Sequence, residues 1–331
     1  MKGICIDMGT GNTSISSPGK LEVFCEPSVV IVDTEDNIIL DAGTTAKEAV
    51  GKTPENITAI KPLSGSVIAD YSAAEGMIKL LVKKAFNRTV FTGISAVISV
   101  PSNATQMETR AATEAVKNLG VSTVHVLPVP MAAAIGAGIN VLAPVGNMVV
   151  DIGAGTTDSA VIALGNIATG ICIEKAGNSI DTEIVNYVKK RYNIIIGENT
   201  AEQIKIQLGS AVPKKKNELG KYKGRDITTG LPKEFTVSSE EIRVVVESVL
   251  NEIVESVIMA LEKTPPELLS NVMESGITIT GGCANIYGID QFFIKKTGFK
   301  TTVAANSSNC TLRGQEKAIT DKKLKALWKR K

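Results

Sequence analysis

A chain of 331 residues, 44% of them hydrophobic, is long enough to bury two cores, and its 36 basic and 34 acidic residues leave a net charge of only +2. That balance excludes a global pull toward nucleic acid or an acidic substrate. The cysteines, Cys5, Cys25, Cys172, Cys283 and Cys310, stand singly without the close pairs of zinc or redox motifs, so reduced, cytosolic, mostly buried thiols are expected. No apolar run reaches the roughly 18–20 residues of a bilayer span, and the N-terminus enters a strand pattern at once, so a soluble chain is expected.

The first element, ICIDMGTGNT at 4–13, is an apolar strand that runs into a carboxylate and a tight glycine turn. It returns as VVDIGAGTTD at 149–158, with Asp151 aligned to Asp7 and the two 144 residues apart, about the length of a domain. Between the copies, periodicity predicts helices near 72–85, 103–119 and 130–141, with strands at 94–100 and 123–127. A strand at 147–152 then leads to helices near 180–191 and 199–209. The lysine-rich stretch from 213 to 236 reads as an exposed loop or hairpin on a small subdomain. A long helix over about 240–262 follows, since Ile242, Val246, Val249, Ile253, Val257 and Leu261 recur every three or four residues. Ser238 and Glu241 form a capping box before it, and Pro265-Pro266 stop it. With a last strand at 276–280, the order is that of an α/β protein.

A polyphosphate with magnesium needs backbone N–H groups that approach closely, hydroxyls that bond phosphate oxygens, and carboxylates that hold the metal through water. Each copy of the repeat supplies all three. Thr10, Gly11 and Asn12 would wrap one side and Gly153, Ala154, Gly155 and Thr156 the other, with Asp7 and Asp151 facing each other across the cation. One copy alone also reads as a hairpin with a glycine turn; two, each after a buried strand and a domain apart, favour the clamp. A third turn, Gly281-Gly282-Cys283, follows an apolar strand and suits the base or ribose, though a plain strand-to-helix turn has the same pattern. Glu202 and Lys205, three residues apart on one helix face, suit ribose hydroxyls and the base edge, and an ordinary surface ion pair fits equally.

These loops together resemble the actin, Hsp70 and sugar-kinase superfamily. Within it, EPSVV at 26–30, GKTPENITAIKPL at 51–63, PMAAAIGAG at 130–138, NMVVDIGAGTT at 147–157, IGENTAEQIK at 196–205 and LEKTPPELL at 261–269 resemble the MreB-type bacterial actins along nearly the whole chain. The resemblance implies an actin-like ATPase fold of two related RNase H-like domains around a nucleotide cleft. The first would take 1–144 with 305–331 and a subdomain at about 31–70; the second would take 145–304 with a subdomain at about 181–240. It also implies ATP (or GTP) with Mg2+, and self-assembly into protofilaments paired antiparallel, with MreB-like paralogues as further partners. A peripheral place on the anionic inner face of the cell membrane and no nucleic-acid partner complete the expectation.

Departures from the family pattern carry their own implications. The family places a glutamate that positions the attacking water directly before Pro-Met-Ala-Ala-Ala; here Val129 stands there, while the other water-positioning residue, Thr156, is kept. Hydrolysis slower by about two orders of magnitude is expected. Cys283 replaces the third glycine of the late turn, Ala154 the middle glycine of the second phosphate loop, and Asn178 an acidic residue near the phosphates. For membrane contact, Val90 and Phe91 in the loop 87–93 align with the family's inserting residues, a pair tucked under the loop being the alternative. Leu324, Leu327 and Trp328 fall on one face of a basic C-terminal helix, against the alternative of a frayed tail. A small-molecule kinase or an Hsp70-like regulator remains as a second class of function; the first needs a designated base and the second a substrate domain, and neither is evident.

Overall fold

The computed structural model describes residues 3–19, 22–36, 38–88 and 90–328. Two five-stranded sheets dominate it, and their wiring is the same. In the first, strand Ile4–Met8 pairs antiparallel with Asn12–Ser16, which pairs antiparallel with Phe24–Pro27; on its other side Ile4–Met8 runs parallel to Ser95–Val100, which runs parallel to Thr123–Pro128. In the second, Asn147–Ile152 takes the central place, with Thr157–Ala163 and Asn166–Ile173 antiparallel on one side and Ile277–Thr280 and Thr301–Val303 parallel on the other. The register is duplicated as well: Asp7 faces Ser14 as Asp151 faces Asp158, one pair before each hairpin closes. The sequence repeat therefore marks two related lobes.

Each lobe carries a small three-stranded sheet. In the first it is built from Val30–Asp33, Ile38–Ala42 and Ile57–Ile60. In the second, the lysine-rich stretch folds as the hairpin Leu219–Asp226 and Pro232–Ser238, extended by Ile194–Ile195. The long helix runs Ser239–Glu262, with the Ser238–Glu241 capping box formed, and buries Ile242, Val246, Val249, Ile253 and Val257 in the second lobe's core. Two predicted helices are shorter than expected. Helix 103–119 begins only at Gln106, where Thr105 and Glu108 cap it, and helix 130–141 is Val129–Gly136.

The lobes are joined by a pair of helices, Val129–Gly136 and Cys310–Thr320, that share a core with the inner faces of both sheets. They touch backbone to backbone: a Cβ on Gly314 would stand 1.8 Å from the carbonyl oxygen of Ala132, and one on Gly136 equally close to that of Cys310. Gln315 then reaches the first sheet, donating to the Ile6 carbonyl at 3.2 Å and to Ser99 Oγ at 2.9 Å. This contact fixes the sign of a substitution on which two effects compete. Helix propensity favours alanine over glycine by about 1 kcal/mol, whereas forcing the helices apart costs roughly 3 kcal/mol. Gly314→Ala is accordingly expected to lower the thermal midpoint by several degrees in scanning calorimetry; a higher midpoint would show that the helices separate freely.

Candidate functional site

The repeated turns close in the same way. Gly9 N–H donates to the Asn12 carbonyl at 3.1 Å, and Gly153 N–H donates to the Thr156 carbonyl at 3.0 Å. The first turn is braced from the EPSVV segment, where Ser28 Oγ donates to the Gly9 carbonyl at 2.6 Å and meets Thr13 Oγ1 at 2.9 Å. The second is braced by the helix Gly177–Tyr192, whose first amides, on Gly177 and Asn178, donate to the carbonyls of Gly153 and Ala154. Position 178 acts here through its backbone; its side chain is exposed. The loops meet so closely that glycine is required: a Cβ on Gly155 would stand 2.3 Å from Thr10 Oγ1, and one on Gly11 2.7 Å from the Ala154 methyl.

Between them lies a cleft of about 380 Å3 lined by Asp7, Thr10, Gly11, Asn12, Gly153, Ala154 and Thr156, together with Glu202, Lys205, Gly281, Gly282, Cys283 and Val129. The predicted site residues are thus brought to one place, with Gly155 beside them against Thr10. Burial, and then the neighbouring Asp151 charge, push the Asp7 carboxyl up to about 7. Burial also raises Asp151 to about 6, against a 2.7 Å hydrogen bond from Thr280 Oγ1. Two desolvated acids that repel each other form a poor apo site and a good cation site, because a divalent ion restores both charges. Among the described residues no group of three or more histidine, cysteine or acidic side chains gathers to hold a metal, here or elsewhere, so the two aspartates alone are the protein's carboxylates for a cation. A magnesium ion held by this pair would complete its shell with water and phosphate oxygens, which suits its reluctance to dehydrate.

Glu202 and Lys205 do not pair with each other. Lys205 donates to Asp181 at 2.7 Å and to the Gly177 carbonyl at 3.0 Å, anchoring the base of the second loop. Glu202 reaches across the cleft to Lys47, and Glu198, one turn earlier, to Lys61. Cys283 Sγ donates to the Gly153 carbonyl at 3.2 Å, and burial pushes its thiol up to about 11, so it serves as a small neutral donor. Gly281 has φ 87, and a Cβ there would stand 2.3 Å from the Ile152 carbonyl oxygen. Sequence reasoning missed Ser66, which enters the cleft from the hairpin of Leu63–Ser64 and Val67–Ile68. Its available signal was a Ser-Gly-Ser turn between Leu63 and Val67.

The membrane residues need correction. Phe91 is fully buried, edge-on to Phe86 at 5.6 Å and covered by the Arg88 guanidinium 4.4 Å from its ring centre, so it is a core residue and only Val90 is exposed. Leu324, Leu327 and Trp328 form a 3-10 turn whose apolar side chains pack on the interlobe core, with Trp328 stacked 4.6 Å from His125. Half-buried there, these side chains have an apolar partner within the chain. The basic residues at 329–331 lie outside the described residues. Among the described residues no helix is long and apolar enough to cross a membrane.

The family model for the MreB/Mbl protein matches residues 1–326. The cell shape-determining protein Mbl of Bacillus cereus is 41% identical over 313 residues, covering 95% of this chain and 94% of that protein. The cell shape-determining protein MreB of Escherichia coli is 39% identical over 321 residues, covering 96% and 92%. The crystal structure of MreB 5 of Spiroplasma citri bound to AMPPNP superposes with a TM-score of 0.91 at 37% identity, over 98% of this chain and 96% of that one.

Proposed function

The chain belongs to the MreB/Mbl family, and from that premise we propose that it is a nucleotide-gated filament subunit that binds a purine nucleoside triphosphate with magnesium between its lobes. The observation that carries this reading is the pair of matched glycine turns meeting over two desolvated carboxylates in one cleft. Asp7 and Asp151 hold the metal through water. Thr10, Gly11 and Asn12 on one side, and Gly153 to Thr156 on the other, offer amides and hydroxyls to the phosphates. Glu202, Lys205 and the turn Gly281-Gly282-Cys283 take the ribose and base. The bound group supplies the phosphoanhydride; the chain's part is to orient it, to exclude water and to couple it to the closure of the lobes.

Closure rests on contacts that open readily. The Lys47–Glu202 and Lys61–Glu198 pairs are partly exposed, and such pairs contribute about 0–1 kcal/mol each. A ligand that engages both lobes can therefore shift the balance between open and closed cleft, and with it the surface offered to the next subunit. Assembly with copies of itself or with related paralogues, at the inner face of the membrane, follows the family. Ultracentrifugal pelleting with Mg-ATP, against the same protein in EDTA, tests the reading together with calorimetric titration of nucleotide. Pelleting that needs Mg-ATP is expected. Absence of magnesium-dependent uptake of any purine nucleotide would sink it.

A further inference from the structure

The hairpin that carries Ser66 is a tight one. Leu63 pairs with Ile68 and Ser64 with Val67, leaving Gly65 and Ser66 as the two turn residues, with φ of 54 and 61. A two-residue hairpin with positive φ at both centres is the I′ turn, and its second position favours glycine. Serine there holds a backbone conformation that side chains disfavour. The other described non-glycine residues with positive φ are Asn87, Asn193, Asn306 and Leu164. The asparagines sit at helix ends, where this conformation is well tolerated, and Leu164 precedes Gly165 in a surface turn. Ser66 alone among these five lines the cleft. Strain held at a site points to a use for the side chain that bears it.

That side chain joins the two phosphate loops. Ser66 N–H donates to Thr10 Oγ1 at 2.8 Å, and Ser66 Oγ lies 3.0 Å from Thr156 Oγ1 and 3.4 Å from Thr10 Oγ1. The same turn abuts the second lobe, since a Cβ on Gly65 would stand 3.2 Å from Glu174 Oε1. Ser66 therefore places a hydroxyl from the first lobe's small subdomain between a threonine of each loop. Each of these hydroxyls has one proton to donate, and the three converge where the two glycine turns meet.

We propose that Ser66 reads the terminal phosphate of the nucleotide, donating its hydroxyl to that charged group in a triphosphate and only to the neutral Thr156 hydroxyl beside it in a diphosphate. The inference rests on the reading of the cleft as a triphosphate site. It makes the hairpin the element through which the first lobe's small subdomain distinguishes the two nucleotides, next to the Lys47 and Lys61 contacts that close the cleft.

Calorimetric dissociation constants for Mg-AMPPNP and Mg-ADP, on the unmodified protein, Ser66→Ala and Ser66→Gly, test it. Glycine suits the I′ turn better than serine, so that variant removes the hydroxyl while relaxing the backbone. Both variants are expected to weaken AMPPNP about tenfold, the contribution of one hydrogen bond to a charged acceptor, and to leave ADP within about twofold. Unchanged preference for AMPPNP in Ser66→Gly overturns the proposal, as does an equal loss for both nucleotides, which is the mark of a structural role. An unmodified protein that binds neither nucleotide would remove the cleft reading itself and this proposal with it.

Discussion

Replacing Val129 with glutamate is expected to raise phosphate release from Mg-ATP by about ten- to a hundredfold. Val129 is the first residue of the helix Val129–Gly136 and lines the cleft, so a side chain placed there projects from a helix start fixed by Pro128 before it and Pro130 after it. The carboxylates on the cleft wall are already committed. On the proposed reading Asp7 and Asp151 serve the cation, and Glu202 is engaged by Lys47. Asp158, the remaining acid of the phosphate loops, accepts from Ser102 N–H at 2.7 Å and from Ser102 Oγ at 2.6 Å, which ties the two lobes together and leaves it no free role. Thr156 can orient a water but has no tendency to take its proton. Glutamate at 129 supplies the missing acceptor, whereas glutamine at the same place supplies only shape, so Val129→Gln should change the rate less than about twofold. Equal rates for the glutamate, glutamine and unmodified proteins would show that the residue at 129 does not set the rate of hydrolysis.

The duplicated turn was legible in the sequence because its chemistry admits few residue types. Only glycine fits at 11 and 155, where the loops touch, and the carboxylates at 7 and 151 recur at the same register in both sheets. The long helix was legible because its apolar positions repeat over about five turns and its cap is written in Ser238 and Glu241. Periodicity reports which residues are apolar, and it is silent on which surface they meet. Phe91 and Trp328 read as candidates for lipid on that ground, and both found partners inside the chain. Ser66, Lys47 and Lys61 lie in a subdomain of short, partly exposed strands with little pattern, and their role depends on contacts 90 to 155 residues away. Such contacts exist only once the two lobes have closed on each other.

The same closeness of charges that makes the cleft fit for magnesium sets the second large effect, on stability and binding together. Asp7→Asn is expected to weaken magnesium-dependent nucleotide binding by at least about tenfold, the loss of one charged metal partner. It is also expected to raise the thermal midpoint of the nucleotide-free protein. The reason is that folding lifts the Asp7 and Asp151 carboxyls to about 7 and about 6, above their unfolded range near 4. Between about pH 4 and 7 the native protein then holds more protons than the unfolded chain, so these groups stabilise it below that window and cease to do so as the pH rises through it. Asp158, raised to about 6 by burial, acts in the same direction. Glu241 and Asp226 act oppositely, but both are pushed down to about 2 by hydrogen bonds, so their contribution is complete above about pH 4.5; His125, lowered by burial, also acts oppositely and does slope in the window, one group against the three aspartates. The nucleotide-free protein should therefore melt at a higher temperature at pH 5.5 than at pH 7.5. The asparagine variant, with one of the two repelling charges gone, should show a smaller difference and gain about 1–2 °C at pH 7.5 for each kcal/mol of repulsion removed. Magnesium with nucleotide should stabilise the unmodified protein most at the higher pH, because protonation removes the carboxylate charge that holds the hydrated cation. Melting curves at both pH values, with and without Mg-AMPPNP, measure all of this at once. A midpoint that climbs from pH 5.5 to 7.5 without ligand, or an asparagine variant that still responds fully to magnesium, would mean that the paired aspartates do not carry the metal.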